Sequence, residues 1–480
     1  MWEDSRLNNL TSRRSFLKNI GAAATMTFTP LFFCSKPSRR SNIIYILADD
    51  LGYGDLGCYG QKNIKTPNLD KMAAEGIRFT DHYAGSTVCA PSRCCLMTGL
   101  DTGHARIRGN ATVPLAPEDV TLPELLKTAG YSTGLIGKWG LGEADSTGVP
   151  NKKGFDYFFG YLNQIRAYNY YPDFLWRNEK KVKLNNVNVV ADQGYAKGIG
   201  SAATKRVDYS HDLFSREALQ FVEQNKDNPF FLYLAYTIPH ANNEHWIVDQ
   251  HGLEVPDYGE YAHLDWPEAQ KGHAAMITRM DRDIGRLLAK LDELNLDQNT
   301  LVIFSSDNGP HREGLNDPDY NDSNGPLRGI KRDLYEGGIR VPMIVRWPGH
   351  CPAGATSNLP SAFWDIMPTL AEIVGFPAPE NINGLSLLPT LTGKSEEQKQ
   401  HAYLYWEFHE GKSTHQAIRV HNWKGIRFDP RGELELYDLS TDIGEQNNVA
   451  KAHPDIVAKI KDILAQARQP NDVWKLVSQL

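Results

Sequence analysis

The 480-residue sequence lacks the marks of several large protein classes. It has no apolar run of the roughly 18–20 residues that a membrane-spanning helix needs. Its six cysteines form no Cys-x-x-Cys pair and no zinc-like spacing, which excludes a cysteine metal cage and a dense disulfide framework. Positive charge is not in excess either: 51 Lys and Arg against 58 Asp and Glu give −7, which argues against sequence-independent binding of nucleic acid.

The sequence does contain enough apolar residues, 41%, for a sizeable core. Short apolar runs, typical of strands buried on both faces, alternate with helical patterns. The predicted strands cover residues 42–48, 131–136, 230–236 and 300–306, and the predicted helices cover residues 69–75, 122–129, 211–225 and 272–294. This alternation predicts an α/β sandwich around a mostly parallel sheet.

Polar side chains stand at the carboxyl end of each predicted strand. Ligands of open α/β sheets bind at that edge, so residues distant in the sequence are expected to share one pocket. They are Asp49, Asp50, Lys138, His240, Asp307 and Asn308. Their carboxylate and amide oxygens suit a hard cation, Ca²⁺ or Mg²⁺, although an Asp after a strand can equally be a helix cap or a turn residue.

Residues 1–40 are predicted to lie outside the folded part of the chain. The pair Arg13-Arg14, followed by Phe16-Leu17-Lys18 and a weakly apolar stretch, resembles a twin-arginine export signal. The sequence then predicts export to the periplasm; the alternative is an exposed basic turn on a small amphipathic helix. Cys34 partly matches a lipoprotein cleavage box, but Phe33 is larger than the residue usual before it, so a lipid anchor at Cys34 stays open.

The character of the sequence changes again near residue 395, after a polar segment that is typical of a linker. Short strand patterns follow at residues 402–408, 416–420, 423–428 and 434–438, and then an amphipathic helix at residues 456–468. We therefore predict a catalytic domain over residues 41–395 and a small C-terminal α+β subdomain over residues 396–480.

Cys89-Ala90-Pro91-Ser92-Arg93 is the most distinctive motif. Pro91 suits the first turn of a helix, where Cys89 would face the positive end of the helix dipole with a lowered pKa. Arg93 would lie on the same face one turn later. Such a site could hold an anion, whereas the plain alternative is a buried structural cysteine, which suits Cys94 and Cys95.

The Cys89 motif, with Leu96-Met97-Thr98-Gly99 after it, resembles the signature of the type I sulfatases. Further blocks that are similar to this family occur in the family's order between about residue 41 and residue 390. They are Asp49-Asp50-Leu51-Gly52, Gly137-Lys138-Trp139, Pro239-His240, Ser306-Asp307-Asn308-Gly309, Leu327-Arg328-Gly329-Ile330-Lys331 and Tyr335-Glu336-Gly337-Gly338.

The resemblance implies the alkaline-phosphatase-like fold and the hydrolysis of sulfate esters. It implies that a maturation enzyme oxidises Cys89 to formylglycine, and that Arg93 stabilises the hydrate of this aldehyde. By the same similarity, Asp49, Asp50, Asp307 and Asn308 hold a divalent cation, usually calcium, which also touches the modified Cys89. Lys138 and Lys331 are implied to bind sulfate oxygens, and His240 to protonate the leaving alkoxide.

The sequence departs from the family at one site position. Gly140 stands where the family usually has a histidine that serves the formylglycine hydroxyl. Such a general acid or base contributes about 10²–10⁴ in rate, so its loss need not abolish activity. We predict that His211 or a metal-ordered water takes this role; the alternative is unassisted elimination.

An aromatic stretch at residues 155–177 is interleaved with polar side chains, a composition that suits a sugar ring. We predict that Phe155, Phe158 and Phe159 pack in the core, and that Arg166 and Tyr168, with Tyr170, contact substrate. The predicted substrate is a sulfated carbohydrate of galactose or hexosamine type. Two alternatives stay open: a phosphonate monoester hydrolase or phosphodiesterase of the same superfamily, and a catalytically dead sugar-binding protein.

Overall fold

The structure, a computed structural model, describes residues 40–476, and the predicted export segment, including Cys34, lies outside them apart from residue 40. The strands of the described residues are β1 (Asn42–Asp49), β2 (Ile77–Phe79), β3 (His82–Tyr83), β4 (Ser132–Lys138), β5 (Tyr157–Tyr161), β6 (Phe174–Arg177), β7 (Lys180–Lys183), β8 (Val187–Val190), β9 (Ser201–Lys205), β10 (Phe230–Pro239), β11 (Thr300–Ser306), β12 (Met343–Arg346), β13 (Ala355–Ser357), β14 (Ser361–Ala362), β15 (Leu404–Glu410), β16 (Ser413–Val420), β17 (Trp423–Arg427) and β18 (Glu435–Asp438).

The helices follow the same order along the described chain. They are α1 (Pro67–Ala74), α2 (Cys89–Thr98), α3 (Leu122–Thr128), α4 (Ser210–Gln224), α5 (Glu268–Glu293), α6 (Glu336–Ile339), α7 (Ile366–Ile373), α8 (Leu388–Leu391) and α9 (Pro454–Gln466). None of the helices within residues 40–476 is both long and apolar enough to cross a membrane.

The central sheet has ten strands in the order β13-β2-β12-β11-β1-β10-β4-β5-β6-β7. The four strands predicted from the sequence are neighbours at its centre, and β1 pairs in parallel with both β10 and β11. Strand β4 is parallel to β10, while β12 and β6 run antiparallel to their inner neighbours. The mostly parallel sheet is therefore confirmed, with antiparallel strands toward its edges.

Both faces of the sheet are covered, as the apolar strand patterns predicted. Along β1, Ile43 and Tyr45 belong to one buried cluster, which also contains side chains of α2, α3 and α7. Ile44 and Ile46 belong to a second cluster with side chains of α1, α4 and α5. The result is a three-layer sandwich, in which the carboxyl edge of the parallel strands stays free to form a site.

The predicted helices are confirmed within a few residues at each end. The largest difference is α5, which begins at Glu268 rather than at residue 272. Gly272 lies inside this helix, and a Cβ there would come within 2.3 Å of the carbonyl oxygen of Leu253. This glycine marks a close packing contact and not the end of a helix.

The C-terminal strands form an antiparallel sheet in the order β15-β16-β17-β18, and α9 packs on it through Ile460 and Leu464. This confirms the small α+β element at the end of the chain. Its sheet is tied to the large one, because the Trp406 indole lies in the main core and donates a hydrogen bond to the carbonyl oxygen of Ala84 at 3.0 Å. The domain boundary at residue 395 stays a prediction.

Candidate active site

Two central strands bring three carboxylates and one amide together at the carboxyl edge of the sheet. Asp49 ends β1, Asp50 follows it, and Asp307 and Asn308 follow β11; all four are buried. The Asp50 amide donates to Asp307 Oδ1 at 3.1 Å, and Asn308 Nδ2 donates to Asp50 Oδ1 at 2.7 Å. Asp50 has a φ of 64°, a conformation that costs energy outside glycine and is found at functional sites.

Helix α2 places Cys89 and Arg93 against these carboxylates. Cys89, its first residue, donates its thiol hydrogen to Asp49 Oδ1 at 3.3 Å. One turn later, Arg93 donates from Nε and Nη2 to Asp307 Oδ2 at 3.0 and 2.7 Å. The third guanidinium nitrogen donates to the carbonyl oxygen of Lys138 at 3.0 Å, which holds Arg93 between two strand ends.

The electrostatic environment of Cys89 differs from the sequence-based prediction. Burial, and after it the negative charge of Asp49, raise the pKa of the Cys89 thiol well above its ordinary value. The prediction of a lowered pKa was wrong because the helix dipole is a small effect beside desolvation and a carboxylate in contact. Unmodified Cys89 is therefore a neutral thiol and a poor nucleophile.

Two buried lysines and a histidine complete the site. Lys138 Nζ donates to Asp49 Oδ2 at 2.7 Å, and Lys331 Nζ donates to Asp50 Oδ2 at 2.8 Å and to His240 Nε2 at 2.9 Å. His240 donates from Nδ1 to the carbonyl oxygen of Ala241 at 2.6 Å, which leaves Nε2 to face Lys331. Burial lowers the pKa of His240 to about 4, so the imidazole is neutral at pH 7 in this arrangement.

Glu313 is a member of this cluster that the sequence analysis missed. Its Oε2 accepts a hydrogen bond from Lys331 Nζ at 3.2 Å and lies 3.7 Å from His240 Nε2, while Oε1 accepts from Arg332 at 2.6 Å. The feature of the sequence that could have indicated Glu313 was its position in the loop after Asp307, only a few residues beyond the end of the strand. Glu313 holds the Lys331 ammonium next to His240.

The donor set of the cluster fits a hard divalent cation. Ligand atoms of Asp49, Asp50, Cys89 and His240 all lie within 4.8 Å of one another. The Asn308 Oδ1 atom is buried, and no hydrogen-bond partner for it occurs among the described residues. Burial and the charge of Asp49 raise the pKa of Asp307 to about 7, a cost that a cation among these carboxylates would relieve.

Comparison with known proteins assigns the chain to a family. Residues 41–376 match the sulfatase family, and residues 330–470 match the C-terminal region of N-sulphoglucosamine sulphohydrolase. The chain belongs to the sulfatase family. It is thus a sulfuric ester hydrolase with the alkaline-phosphatase-like fold of that family, as the sequence resemblance predicted.

Two curated relatives and one solved structure show how far this similarity extends. An N-acetylgalactosamine-6-O-sulfatase of Bacteroides thetaiotaomicron is 32% identical, covering 90% of this chain and 94% of that protein. Human arylsulfatase A is 31% identical, covering 89% of this chain and 87% of that protein. The crystal structure of Ps i-CgsB in complex with k-i-k-neocarrahexaose has a TM-score of 0.74 and 29% identity, covering 90% of this chain and 94% of that one.

His211 does not join the polar cluster around Cys89. It lies in α4, where its Nε2 is 3.1 Å from Asp283 Oδ2 and its ring lies 4.5 Å from that of Tyr236. Within residues 40–476, its hydrogen bonds and ring contacts reach neither Cys89 nor Lys138. These contacts give no support to the predicted role of His211 at the formylglycine hydroxyl.

The position at which the sequence resemblance implies a histidine is shaped for glycine here. Gly140 has a φ of 80°, in the region that side chains rarely adopt, and an added Cβ would lie 3.3 Å from Gln164 Oε1. That oxygen is buried, and no described residue hydrogen bonds to it. Gln164 is therefore the polar side chain next to this position, which the sequence analysis did not select.

The three predicted substrate contacts divide between the site and its surroundings. The Tyr168 ring stacks on His240 with centroids 4.4 Å apart, and Lys138 Nζ lies 5.6 Å from its centre. Tyr170 is buried behind the site and donates to the carbonyl oxygen of Thr237 at 2.8 Å. Arg166 is directed elsewhere, with its guanidinium 3.8 Å from Asp173 and 5.0 Å from the Phe174 ring.

The remaining aromatic and cysteine predictions concern the core. Phe155, Phe158 and Phe159 are buried in the two main clusters, as predicted. The cysteines of the described residues are all free thiols: Cys58, Cys89, Cys94, Cys95 and Cys351. Cys94 and Cys95 face the core from α2, so Cys89 is the cysteine of this helix that contacts the polar cluster.

Proposed function

We propose that this sulfatase hydrolyses sulfate esters of a carbohydrate, using a formylglycine formed from Cys89 and a bound Ca²⁺ or Mg²⁺. The observation that carries the proposal is one buried cluster in which Cys89 and Arg93 meet two lysines, His240 and the strand-end carboxylates. This cluster adjoins a cavity of about 1200 Å³ that Tyr168 lines. The proposal therefore joins a site for the sulfate to an open space for the rest of the substrate.

Asp49, Asp50, Asp307 and Asn308 would hold the cation. When bound, it supplies a fixed positive charge that polarises the sulfate oxygens. The oxygen donors favour Ca²⁺ or Mg²⁺ over softer metals. Formylglycine at position 89 supplies a hydrated aldehyde as nucleophile, which neither an unmodified cysteine nor a serine offers.

The protein's own side chains would contribute charge and a proton. A sulfate ester has no useful proton to remove, so its cleavage depends on positioning and on stabilising negative charge. Lys138 and Lys331 place two ammonium groups at the cluster, and Arg93 fixes the start of α2. The 2.9 Å contact between Lys331 Nζ and His240 Nε2 keeps a proton near the point where the alkoxide would leave.

A carbohydrate is the substrate class that the relatives favour. One relative is named for N-acetylgalactosamine 6-sulfate, and one similar structure was solved with a neocarrahexaose bound. Tyr168, which stacks on His240, also lines the adjoining cavity, and an aromatic side chain at this place suits a pyranose ring. We therefore propose a galactose- or hexosamine-type sulfate ester as substrate.

Maturation and location form a separate part of the proposal. The Arg13-Arg14 motif supports export by a twin-arginine route to the periplasm, with Cys34 as a candidate lipid site. The Cys89-Ala90-Pro91-Ser92-Arg93 motif supports recognition by a formylglycine-generating enzyme. Fractionation of cells that express the full chain tests the location, and a peptide mass across Cys89 tests the modification.

Sulfate release from a panel of defined substrates tests the proposed reaction. The panel contains 4-nitrophenyl sulfate, sulfated galactose and N-acetylhexosamine at each ring position, their disaccharides, and a phosphonate monoester. We expect release from at least one sulfated sugar with kcat/KM well above that for the aryl ester. Turnover of the phosphonate alone, or no release by protein shown to carry formylglycine, would contradict the proposal.

Removal of the cation should affect both activity and stability. We expect dialysis against EDTA to abolish sulfate release and to lower the melting temperature, and CaCl₂ to restore both. A ligand at about 100 times its Kd contributes about 2.7 kcal/mol to the free energy of unfolding. The matched variant is Asp307→Asn, which lacks one of the carboxylates proposed to hold the cation. Added calcium should raise its melting temperature less than that of the original protein. Suppose that metal analysis shows no bound cation and that sulfate release is unchanged. This result would contradict the predicted need for a cation.

A further inference from the structure

The cavity next to the catalytic cluster, which we call the outer cavity, has walls that the sulfate chemistry does not use. Tyr168 connects it to the site by stacking on His240, and Arg332, which follows Lys331 in the chain, lines it as well. The remaining wall includes Tyr195, Asn243, Glu244, Trp246, Glu410 and Trp474. Its volume of about 1200 Å³ exceeds the about 300–1,000 Å³ of ordinary ligand pockets, so there is room beyond one sulfated sugar.

Two hydrogen-bond acceptors in this wall have no partner. Glu244 is only 5% exposed, and neither its Oε2 nor the neighbouring Asn243 Oδ1 has a hydrogen-bond partner among the described residues. A buried polar atom without a partner destabilises the protein, so these two atoms favour a ligand that supplies donors. Hydroxyl groups do so, whereas a carboxylate or a sulfate offers only acceptors.

Exposed aromatic rings stand beside these acceptors. Tyr195 is 74% exposed and Trp246 is 46% exposed, and both line the outer cavity, with the more buried Trp474 in the same wall. Exposed apolar side chains that share one groove, unlike single scattered ones, mark ligand-binding surfaces. Flat rings beside hydroxyl-binding acceptors are the combination that recognises a pyranose.

The charges of the outer cavity argue against an acidic sugar. Arg332 is its strongest cation, but it is already paired with Glu313 Oε1 at 2.6 Å and with Glu410 Oε1 at 3.0 Å. Lys475 and Asp472, whose side chains carry opposite charges, also line the cavity. Glu244 adds a further carboxyl group, for which burial raises the pKa to about 7. A uronic acid or a second sulfate would therefore meet three carboxyl groups, Glu244, Glu410 and Asp472, against Arg332, which is already paired, and the terminal ammonium group of Lys475.

We propose that the outer cavity is a subsite that holds an uncharged sugar unit adjoining the sulfated one, with Tyr195 and Trp246 against its ring and Asn243 and Glu244 accepting from its hydroxyls. The inference rests on the proposed function, since it names the neighbour of the sulfated sugar. It predicts that the enzyme acts on oligosaccharides better than on monosaccharides, and that neutral neighbours are preferred to acidic ones.

Binding of unsulfated sugars tests the subsite independently of turnover. The probes are an unsulfated galactose tetrasaccharide and an unsulfated chondroitin tetrasaccharide, which carries uronic acids, each titrated into the full protein by calorimetry. We expect the neutral probe to bind in the millimolar range and the acidic probe at least about tenfold more weakly. Tyr195→Ala and Glu244→Ala should each weaken binding of the neutral probe about tenfold. This is the effect expected from the loss of one hydrogen bond or ring contact.

Two further variants make this test specific. Glu244→Gln keeps a hydrogen-bond acceptor and removes the charge. It should therefore reduce the difference in affinity between the neutral and the acidic probe. Tyr320→Ala removes a tyrosine that is 41% exposed and packs on Trp266, and it should bind both probes like the original protein. Equal binding of the two probes, no binding of the neutral one, or unchanged affinity in Tyr195→Ala and Glu244→Ala would overturn the subsite. Failure of the proposed function would appear separately, as no sulfate release from any sulfated ester.

Discussion

Cys89→Ala is expected to lower sulfate release by about 10⁵–10⁶-fold, to the background rate. The substitution removes the only precursor of the nucleophile, and total accelerations by enzymes start at about 10⁶. The fold should survive, because Cys89 contributes a single weak hydrogen bond to Asp49 at 3.3 Å. The measurement is sulfate release per mole of folded protein, with the melting temperature as a check on folding.

Cys94→Ala is the matched control for this prediction. Cys94 is buried in the same helix but faces the apolar core, away from the carboxylates. Its replacement should lower the melting temperature by a few degrees and leave kcat per folded molecule near its original value. The formylglycine proposal fails if Cys89→Ala retains substantial turnover, or if the active protein carries an unmodified cysteine at position 89.

Lys331→Met is expected to lower kcat by about 10²–10³-fold, the usual effect of removing one group that stabilises developing negative charge. Lys331 touches Asp50, His240 and Glu313 through a single ammonium group. Its loss also removes the neighbour that keeps a proton near His240 Nε2. The effect should appear in kcat and in kcat/KM alike, since the interaction is strongest in the transition state.

Lys424→Met is the control that distinguishes an effect of Lys331→Met on catalysis from an effect on stability. Lys424 is fully buried and paired with two glutamates, Glu336 Oε1 at 2.7 Å and Glu445 Oε1 at 3.3 Å, neither of which belongs to the strand-end carboxylates. It therefore matches Lys331 in burial and in pairing. Both variants should lose stability, by about 3–5 kcal/mol for a broken buried pair. Equal losses of kcat per folded molecule in the two variants would show that Lys331 has no catalytic role.

The central sheet and most of the candidate site could be predicted from the sequence because their signals are local. A run such as residues 42–48 is mostly apolar, which predicts that it is covered on both faces and that the polar residues at its end lie at the ligand-binding edge. This rule alone predicts that Asp49, Asp307 and His240 lie together. The hydrogen bonds among these strand ends confirm that they converge.

Other features depend on contacts between distant segments and were missed or misjudged. Glu313 carries no motif, and only the loop after β11 brings it against Lys331. The pKa of Cys89 rises where the helix position alone predicted a fall, because burial and Asp49 outweigh the helix dipole. His211 had a suitable side chain, but α4 directs it to Asp283.

The sequence by itself determined the reaction class, the strands that end at the site and most of the residues that carry charge there, since these follow from periodicity and from motifs a few residues long. Only the tertiary structure decided what stands around them. It placed Gln164 beside Gly140, left Glu244 Oε2 and Asn243 Oδ1 without a hydrogen-bond partner among the described residues, and shifted the pKa values of Cys89, His240 and Asp307. The reason is physical: desolvation, hydrogen-bond satisfaction and cavity shape are properties of the packed surroundings, which no local stretch of sequence contains.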